Sequence, residues 1–134
     1  MGCPVWTPCA GGVLQDEQGR LLLVRRGHEP FAGTWSLPSG RNRPGEPPRE
    51  AAAREVLEET GLVVEVGELL GVVRREAGPH HYEIHDFACR PVGGRLQAGD
   101  DAAEVAWVAL DQLDDLTLAP GLRRALADFG VLEA

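Results

Sequence analysis

The chain has 134 residues and a formal net charge of −8, from 21 acidic and 13 basic side chains. Its hydrophobic content of 43% suits one domain, residues 1–134, with a modest core, and no apolar run is long enough to span a membrane. Binding of polymeric nucleic acid needs a concentrated positive surface, which this acidic sequence lacks. We therefore expect neither a membrane nor polymeric nucleic acid as a partner.

The cysteines and the N-terminus bear on the cellular compartment. Cys3, Cys9 and Cys89 are odd in number and lack C-x-x-C spacing, which argues against a disulfide framework or a zinc knuckle. The chain does not begin with a basic region followed by a long apolar stretch. These features predict reduced thiols in a cytoplasmic protein.

The first third of the chain is predicted to be rich in strands. Strands at about 5–14 and 20–26 flank a turn at 16–19, and a short strand near 35–38 follows a loop. Trp35 lies in this last apolar segment, so we expect it to belong to the core.

A helix is predicted next, from the prolines at 47 and 48 to Gly61. Proline is tolerated in the first turn of a helix, glycine commonly ends one, and residues 49–60 are rich in Ala, Glu and Leu. At about 100° per residue, four residues collect on one side that is expected to pack against the protein. These residues are Ala53, Val56, Leu57 and Thr60.

The opposite side of this helix is predicted to carry three carboxylates, at Glu55, Glu58 and Glu59. Offsets of zero, three and four place them on one face, where they would raise each other's pKa unless a multivalent cation lay between them. A cluster of oxygen ligands selects hard cations, so the expected ion is Mg²⁺, with Mn²⁺ as a substitute. Arg54 lies one turn before Glu58 and is expected to hold it through an i,i+4 ion pair. The alternative is a solvated, charged face.

The second half of the chain is predicted to return to strands and to end in a helix. Strands are expected at about 63–76 and 80–92, with a turn at Gly93–Gly94, and a further strand at 105–109. Apolar residues at helical offsets predict a final helix near Pro120–Phe129 that packs back on the sheet.

A longer pattern surrounds the first helix, G-x5-E-x7-R-E-U-x-E-E-x-G-U, where U is an apolar residue and x is any residue. This pattern resembles the Nudix box of the Nudix, or MutT-like, hydrolase family, and the flanking segments 10–13 and 35–38 are also similar to the family. The resemblance implies an α+β fold, a Nudix-type α/β/α sandwich with a mixed β-sheet and two main helices. The positions of the pattern are filled by Gly40, Glu46, Arg54, Glu55, Val56, Glu58, Glu59, Gly61 and Leu62.

The resemblance also implies an enzyme, a metal-dependent hydrolase that cleaves the pyrophosphate bond of a nucleoside diphosphate linked to another group. Matched positions imply Glu55, Glu58 and Glu59 as the metal ligands, and the carbonyl oxygen of Gly40 is a further candidate. In the family the oligomeric state ranges from monomer to homodimer, and both are open for this chain.

The general base is left open between two carboxylates, because family members differ in which carboxylate activates the water. The candidates are Glu55 in the box and Glu104, which precedes an apolar strand. Asp100 and Asp101 are expected to be solvated surface groups. The predicted catalytic residues are Glu55, Glu58, Glu104 and Arg54.

Three residues are predicted to contact the substrate: Arg26, Arg43 and Tyr82. Only one of Arg25 and Arg26 can face the cleft, because neighbouring residues of a strand face opposite ways, and Arg26 is the preferred candidate. For Arg43 a solvated position is the favoured alternative. The resemblance favours ADP-ribose or a related nucleotide sugar as the substrate. The alternatives are an ordinary or oxidised nucleoside triphosphate and, in another class, a non-catalytic regulatory module that binds nucleotides.

Overall fold

The computed structural model describes residues 5–99 and 101–133, so Cys3 and Asp100 lie outside the described residues. The elements in chain order are β1 (Thr7–Val13), β2 (Leu21–Arg26), β3 (Trp35–Ser36), β4 (Ser39–Arg41), α1 (Pro48–Thr60), β5 (Leu62–Ala77), β6 (His80–Gly94), β7 (Ala102–Val108), a 3-10 helix (Leu110–Asp115) and α2 (Leu122–Asp128).

The strands form two sheets, with the orders β4-β1-β6-β5 and β3-β2-β7. β1 and β6 run parallel, from the pair Thr7↔Tyr82 to the pair Val13↔Ala88, whereas the other neighbouring strands are antiparallel. The first sheet is therefore mixed, as predicted, and the second is antiparallel.

The two α-helices lie on opposite faces of β2. Leu22 packs in one core cluster with Val56 of α1. Leu21 and Leu23 pack in another cluster with residues of α2, including Leu126. Since alternate residues of a strand point to opposite faces, the two helices enclose the strand from both sides. This arrangement is the expected α/β/α sandwich.

A glycine in β1 allows α1 to pack closely on the mixed sheet. A Cβ atom at Gly12 would lie 2.8 Å from Cγ2 of Val56, which is shorter than any relaxed contact between two carbon atoms. Small residues complete the contact, with Ala10 of β1 against Ala51 and Ala52 of α1. The helix is thereby held next to the strands that carry the site described below.

The predicted bounds of α1 are confirmed, and the predicted packing face is confirmed at Val56 and Thr60 but wrong at Leu57. Pro47 precedes the helix and Gly61 ends it with φ 79°, its N–H donating to the carbonyl of Leu57 at 2.9 Å. Val56 is fully buried, whereas Leu57 is 47% exposed. The buried arc is rotated towards Glu55 and Glu59, because these partly buried carboxylates line a cavity beside the strands.

Three further differences concern the strands and the short helix. β6 continues through Gly93 and Gly94, which pair with Val63 and Leu62, so the predicted turn there is wrong. β7 begins at Ala102, before the expected start at 105, and β4 and the 3-10 helix were not predicted.

Trp35 is 9% exposed and belongs to the core, as predicted. In the described part of the chain, the helices are too short or too polar to cross a bilayer.

The rotated packing face can be tested with two neighbouring residues of α1. We expect Val56→Ala to lower the free energy of unfolding by about 2 kcal/mol, because it removes two buried methyl groups and leaves a cavity. Leu57→Ala is expected to cost less than about 0.5 kcal/mol, because half of this side chain is in solvent. Urea unfolding of both variants measures the difference, and a larger cost at Leu57 would contradict the observed face.

Candidate active site

A cavity of about 400 Å³ lies between α1, β4, the loop 27–31 and the facing strands β5 and β6. Its wall combines acidic, basic and aromatic side chains, a mixture that suits a metal ion together with a phosphate-bearing ligand. The lining includes Glu55, Glu59, Ser39, Gly40, Arg41, Arg26, Phe31, Arg75, Tyr82, Ile84 and Asp101.

Gly40 of β4 allows the carboxylate of Glu55 to lie directly against the strand. β4 pairs with β1 through Ala10↔Gly40, and a Cβ atom at Gly40 would overlap the carboxylate of Glu55. Any other residue here would displace either β4 or Glu55. The glycine of the box therefore brings the backbone of β4 and a helix carboxylate together at the cavity wall.

Arg54 makes more contacts than the sequence indicated. Its Nε and Nη2 atoms bind the two carboxylate oxygens of Glu46, each at 2.8 Å. Its Nη1 donates to Glu55 Oε1 at 2.7 Å and to Glu58 Oε2 at 3.1 Å, and Nη2 also donates to the carbonyl of Arg41 at 2.9 Å. The predicted pair with Glu58 is present, and the same guanidinium fixes two further carboxylates of the box.

The carboxylates of the box differ in how much nearby positive charge compensates them, and their pKa values differ accordingly. The bidentate bond from Arg54, helped by the backbone N–H of Arg43, lowers the pKa of Glu46 to about 2. Burial, reinforced by the charge of Glu55, raises the pKa of Glu59 to about 8, and burial also raises the pKa of Glu55. Glu59 accepts a hydrogen bond from the backbone N–H of Ser39 at 3.2 Å. The cavity side of the box thus has too little positive charge for its carboxylates.

The predicted metal ligands do not all converge. Gly40, Glu55 and Glu59 line the cavity, whereas Glu58 lies outside the lining and bonds Arg54 and Arg43. Over residues 5–99 and 101–133, no three Asp, Glu, His or Cys side chains surround a common point closely enough to form a metal cage. Local hydrogen bonds hold these carboxylates apart, because Arg54 engages Glu55 and Glu58 and the N–H of Ser39 engages Glu59. The predicted ligands that do face the cavity, Gly40, Glu55 and Glu59, offer only oxygen atoms, which fits a hard divalent cation.

Glu104, one of the two candidates for the general base, is not part of the cavity wall. It lies in β7 opposite Arg25, and its carboxylate pairs with Arg25 Nη2 at 3.3 Å with 53% of the side chain exposed. Asp101, which was expected to be a surface group, lines the cavity and lies 3.4 Å from His28 Nε2. Of the two candidates, only Glu55 faces the cavity.

The three predicted substrate contacts have different positions. Arg26 lines the cavity, and its Nε donates to the carbonyl of Pro30 at 2.7 Å. Tyr82 also lines the cavity, and the guanidinium of Arg41 lies 5.8 Å from the centroid of its ring. Arg43 lies outside the lining on the exposed surface beside Glu58. The first two are available to a ligand in the cavity, whereas Arg43 is in the solvated position.

Two charged residues near the cavity were missed by the sequence reasoning. Arg75 of β5 lines the cavity, and Asp86 of β6 is 4% exposed with no hydrogen-bond partner for Oδ1. The sequence did contain a signal for Asp86, because an aspartate four residues after Tyr82 on one strand must face the same side.

The thiols of Cys9 and Cys89 are free, and burial raises the pKa of both to about 11, so they stay protonated.

Comparison with known proteins agrees with this geometry. A family model described as NUDIX domain matches residues 5–129. The chain belongs to the Nudix family. A Bacillus subtilis protein named putative 8-oxo-dGTP diphosphatase is 36% identical to this Nudix chain, over 93% of the chain and 80% of that protein. A Methanocaldococcus jannaschii protein named ADP-ribose pyrophosphatase is 39% identical, over 75% of the chain and 61% of that protein.

A solved structure supports the same family assignment. The MutT NUDIX hydrolase from Burkholderia pseudomallei is 31% identical, with a TM-score of 0.82, and the match covers 92% of this chain and 98% of that one. The predicted family and enzyme class, Nudix hydrolase, are thereby confirmed.

The contacts of Arg54 predict that its shape matters as well as its charge. Arg54→Lys keeps the positive charge but loses the fork that holds Glu46, Glu55 and Glu58 together. We expect the variant to bind Mg²⁺ 10- to 100-fold more weakly in calorimetry, because residues that orient metal ligands typically contribute that much. Arg49→Lys is the matched control, since Arg49 lies on α1 but contacts the carbonyl of Gly67. Equal Mg²⁺ affinity in the Arg54 and Arg49 variants would contradict the orienting role.

The burial of Asp86 predicts a pH-dependent change in stability. Burial raises the pKa of Asp86 from its ordinary value of 3.8 to about 7 despite the opposing charge of Arg75, so the fold loses stability as the pH rises from about 4 to about 7, and the loss levels off above 7. Its other titratable neighbours, Cys9 of β1 and Cys89 of β6, stay neutral there. Asp86→Asn should therefore raise the melting temperature at pH 8, and the gain should shrink towards pH 4.

Thermal unfolding at the two pH values measures this effect. Asp111→Asn is the control, because Asp111 is exposed and its substitution should change the melting temperature little at either pH. A gain for Asp86→Asn that is equal at pH 4 and pH 8 would exclude ionisation as the cause.

Proposed function

We propose that this Nudix chain hydrolyses the pyrophosphate bond of a nucleoside diphosphate linked to another group, with Mg²⁺ as the cofactor and Mn²⁺ as a substitute. The main support is the position of Glu55 and Glu59, two carboxylates that line one cavity beside the backbone of Gly40 with too little positive charge around them. A divalent cation supplies that charge, and a pyrophosphate supplies its remaining oxygen ligands.

The cation is proposed to be held by Glu55 and Glu59, with the carbonyl oxygen of Gly40. Glu58 would join this set by turning from Arg54 and Arg43 towards the cavity, a change open to a side chain that is 46% exposed. When bound, the ion supplies charge neutralisation at the phosphate oxygens and acidifies a water molecule.

Glu55 is the proposed general base, and Arg54 is the residue that orients it. Because Oε1 of Glu55 accepts the hydrogen bond from Arg54 Nη1, Oε2 is left to accept the proton of the attacking water. Glu104 stays the alternative, but its ion pair with Arg25 lies outside the cavity lining. The guanidinium of Arg26 is proposed to contact the phosphates, and the ring of Tyr82 to stack on the nucleoside.

The substrate is proposed to be ADP-ribose or a related nucleotide sugar, with an ordinary or oxidised nucleoside triphosphate as the second candidate. The archaeal relative named ADP-ribose pyrophosphatase supports the first, and the Bacillus relative named putative 8-oxo-dGTP diphosphatase supports the second. A regulatory module without turnover is a third candidate, although every carboxylate of the Nudix box is in place. A cytoplasmic location and a monomeric or homodimeric state stay predictions.

A substrate panel with Mg²⁺ separates these candidates. The panel contains ADP-ribose, UDP-glucose, dGTP, 8-oxo-dGTP and a short RNA with a 5′-triphosphate, with nucleotide and phosphate products measured. We expect turnover of ADP-ribose with formation of AMP and ribose 5-phosphate, loss of turnover with EDTA, and recovery with Mn²⁺. Tight binding of a nucleotide without any product would support the regulatory module.

The box carboxylates are tested by isosteric substitution. We expect Glu59→Gln and Glu58→Gln each to lower kcat/KM at least about a hundredfold, equivalent to about 2.7 kcal/mol of transition-state stabilisation, because each is proposed to hold the cation. Glu50→Gln is the control, since Glu50 is exposed in the first turn of α1 and lies outside the cavity. Full activity in Glu59→Gln would remove the proposed metal site.

A further inference from the structure

Arg75 is presented to the cavity by the alternation of β5. Its neighbours point outward, where Arg74 bonds Glu83 at 3.1 Å and Glu76 lies 3.4 Å from His81. Arg75 stands opposite Tyr82 in the register of β5 and β6, and both side chains line the cavity. The inward direction of Arg75 is therefore fixed by strand geometry and does not depend on a flexible loop.

The guanidinium of Arg75 has donors to offer a ligand. It has five N–H groups, the residue is partly buried, and within the described residues it makes no hydrogen bond and no ion pair. Arg26 and Arg41, the other arginines of the cavity wall, already bond a carbonyl and a tyrosine oxygen. The donors of Arg75 are therefore free for an acceptor on a ligand bound in the cavity, and a hydrogen bond to a charged donor is stronger than one between neutral groups.

Asp86 lies behind Arg75, across a cavity that fits one water molecule. The second cavity has a volume of about 20 Å³ and is lined by Arg75, Asp86, Ser36 and Ser39, among others. Oδ1 of Asp86 is buried and has no hydrogen-bond partner in the described part of the chain. No direct ion pair joins Asp86 to Arg75 among these residues, so a water between them would satisfy both groups.

We propose that Arg75 is a specificity-determining residue that donates hydrogen bonds to the acceptor edge of the substrate's nucleobase, and that Asp86 positions it through a bridging water. The proposal rests on the proposed function and assigns a part of the same cavity. A base is favoured over a further phosphate because Tyr82 and Ile84, which line the cavity with Arg75, offer an aromatic and an apolar surface.

The test compares ligands with and without a base. With Mg²⁺ present, Arg75→Gln should weaken calorimetric binding of ADP and GDP by 10- to 100-fold and leave the binding of inorganic pyrophosphate within about threefold, because hydrogen bonds to a charged donor contribute that much. On the substrate that the wild type hydrolyses best, KM should rise by a similar factor while kcat changes less than about threefold. If Arg75→Gln weakened the binding of pyrophosphate as much as the binding of ADP and GDP, the proposal would be overturned in favour of a contact between Arg75 and a phosphate.

Two further variants separate positioning from general damage. Arg74→Gln is the matched control, because Arg74 is the adjacent arginine on the outward side of β5, and it should change neither KM nor kcat. Asp86→Asn alone should raise KM about 3- to 10-fold. The double variant should have the same KM as Arg75→Gln alone, since the effect of Asp86 passes through Arg75. Additive effects of the two substitutions would overturn the positioning role of Asp86.

The outcomes distinguish this proposal from the proposed function. If the wild type is active and Glu59→Gln is inactive while Arg75→Gln behaves as wild type, the hydrolase stands and the role of Arg75 is overturned. If the wild type binds ADP and GDP without turnover, the binding comparison still decides the role of Arg75. If it binds neither nucleotide with Mg²⁺ but hydrolyses a member of the panel, only the role of Arg75 is overturned, and if it also hydrolyses none of them, both proposals are overturned.

Discussion

The guanidinium of Arg54, surrounded by the carboxylates of the Nudix box, is the interaction on which the site depends. Three glutamates within one guanidinium's reach would repel one another strongly in a partly buried position. One positive charge in a planar fork overcomes this repulsion and also fixes the direction of each carboxylate. Because Nη2 also bonds the carbonyl of Arg41, the same side chain ties α1 to β4. The fold and the chemistry of the site therefore share one residue.

That single charge is distributed unevenly, and the unevenness separates a carboxylate that is fully paired from one that lacks a compensating charge. Glu46 receives two of the short contacts and its pKa falls to about 2, so it is satisfied without any ligand. Glu59 receives only one backbone N–H, and burial raises its pKa to about 8. A carboxylate in the second situation gains most from a divalent cation. Carboxylates of one motif thus lie in opposite electrostatic surroundings, from the paired Glu46 to the uncompensated Glu59.

The sequence was informative wherever local chemistry decides the structure. The bounds of α1 follow from Pro47, Pro48 and Gly61, and these signals act within one helical turn, so they could be predicted. The packing face could not, because a helical wheel places carboxylates towards solvent unless an internal cavity is known. Here Glu55 and Glu59 belong to the inward arc, and Leu57 takes the solvent position. The error came from tertiary structure and not from helix propensity.

The site residues contributed by strands were harder to predict, because their direction depends on register. A register shift at Arg25 and Arg26 pairs Arg25 with Glu104 and Arg26 with Ala102, which leaves Glu104 in the strand and outside the cavity lining. A one-residue slip reverses every side chain of a strand, so neither composition nor spacing could have settled this point. Asp101, just before β7, could reach the cavity because it lies outside the paired segment. Arg75 was missed for the same reason, since its approach to Tyr82 depends on the pairing of β5 with β6, whereas the alternation of β6 could have indicated Asp86.

The local charge of the cavity explains how an acidic chain can receive a polyanion. With a formal charge of −8, the protein as a whole repels a pyrophosphate. The cavity wall differs from this average, because Arg26, Arg41 and Arg75 line the same cavity as the carboxylates of Glu55 and Glu59. A divalent cation at those carboxylates would make the local balance positive while the surface stayed negative. Cation binding would then have to precede or accompany substrate binding, and the affinity for nucleotide should depend on Mg²⁺ far more steeply than electrostatic screening alone would require.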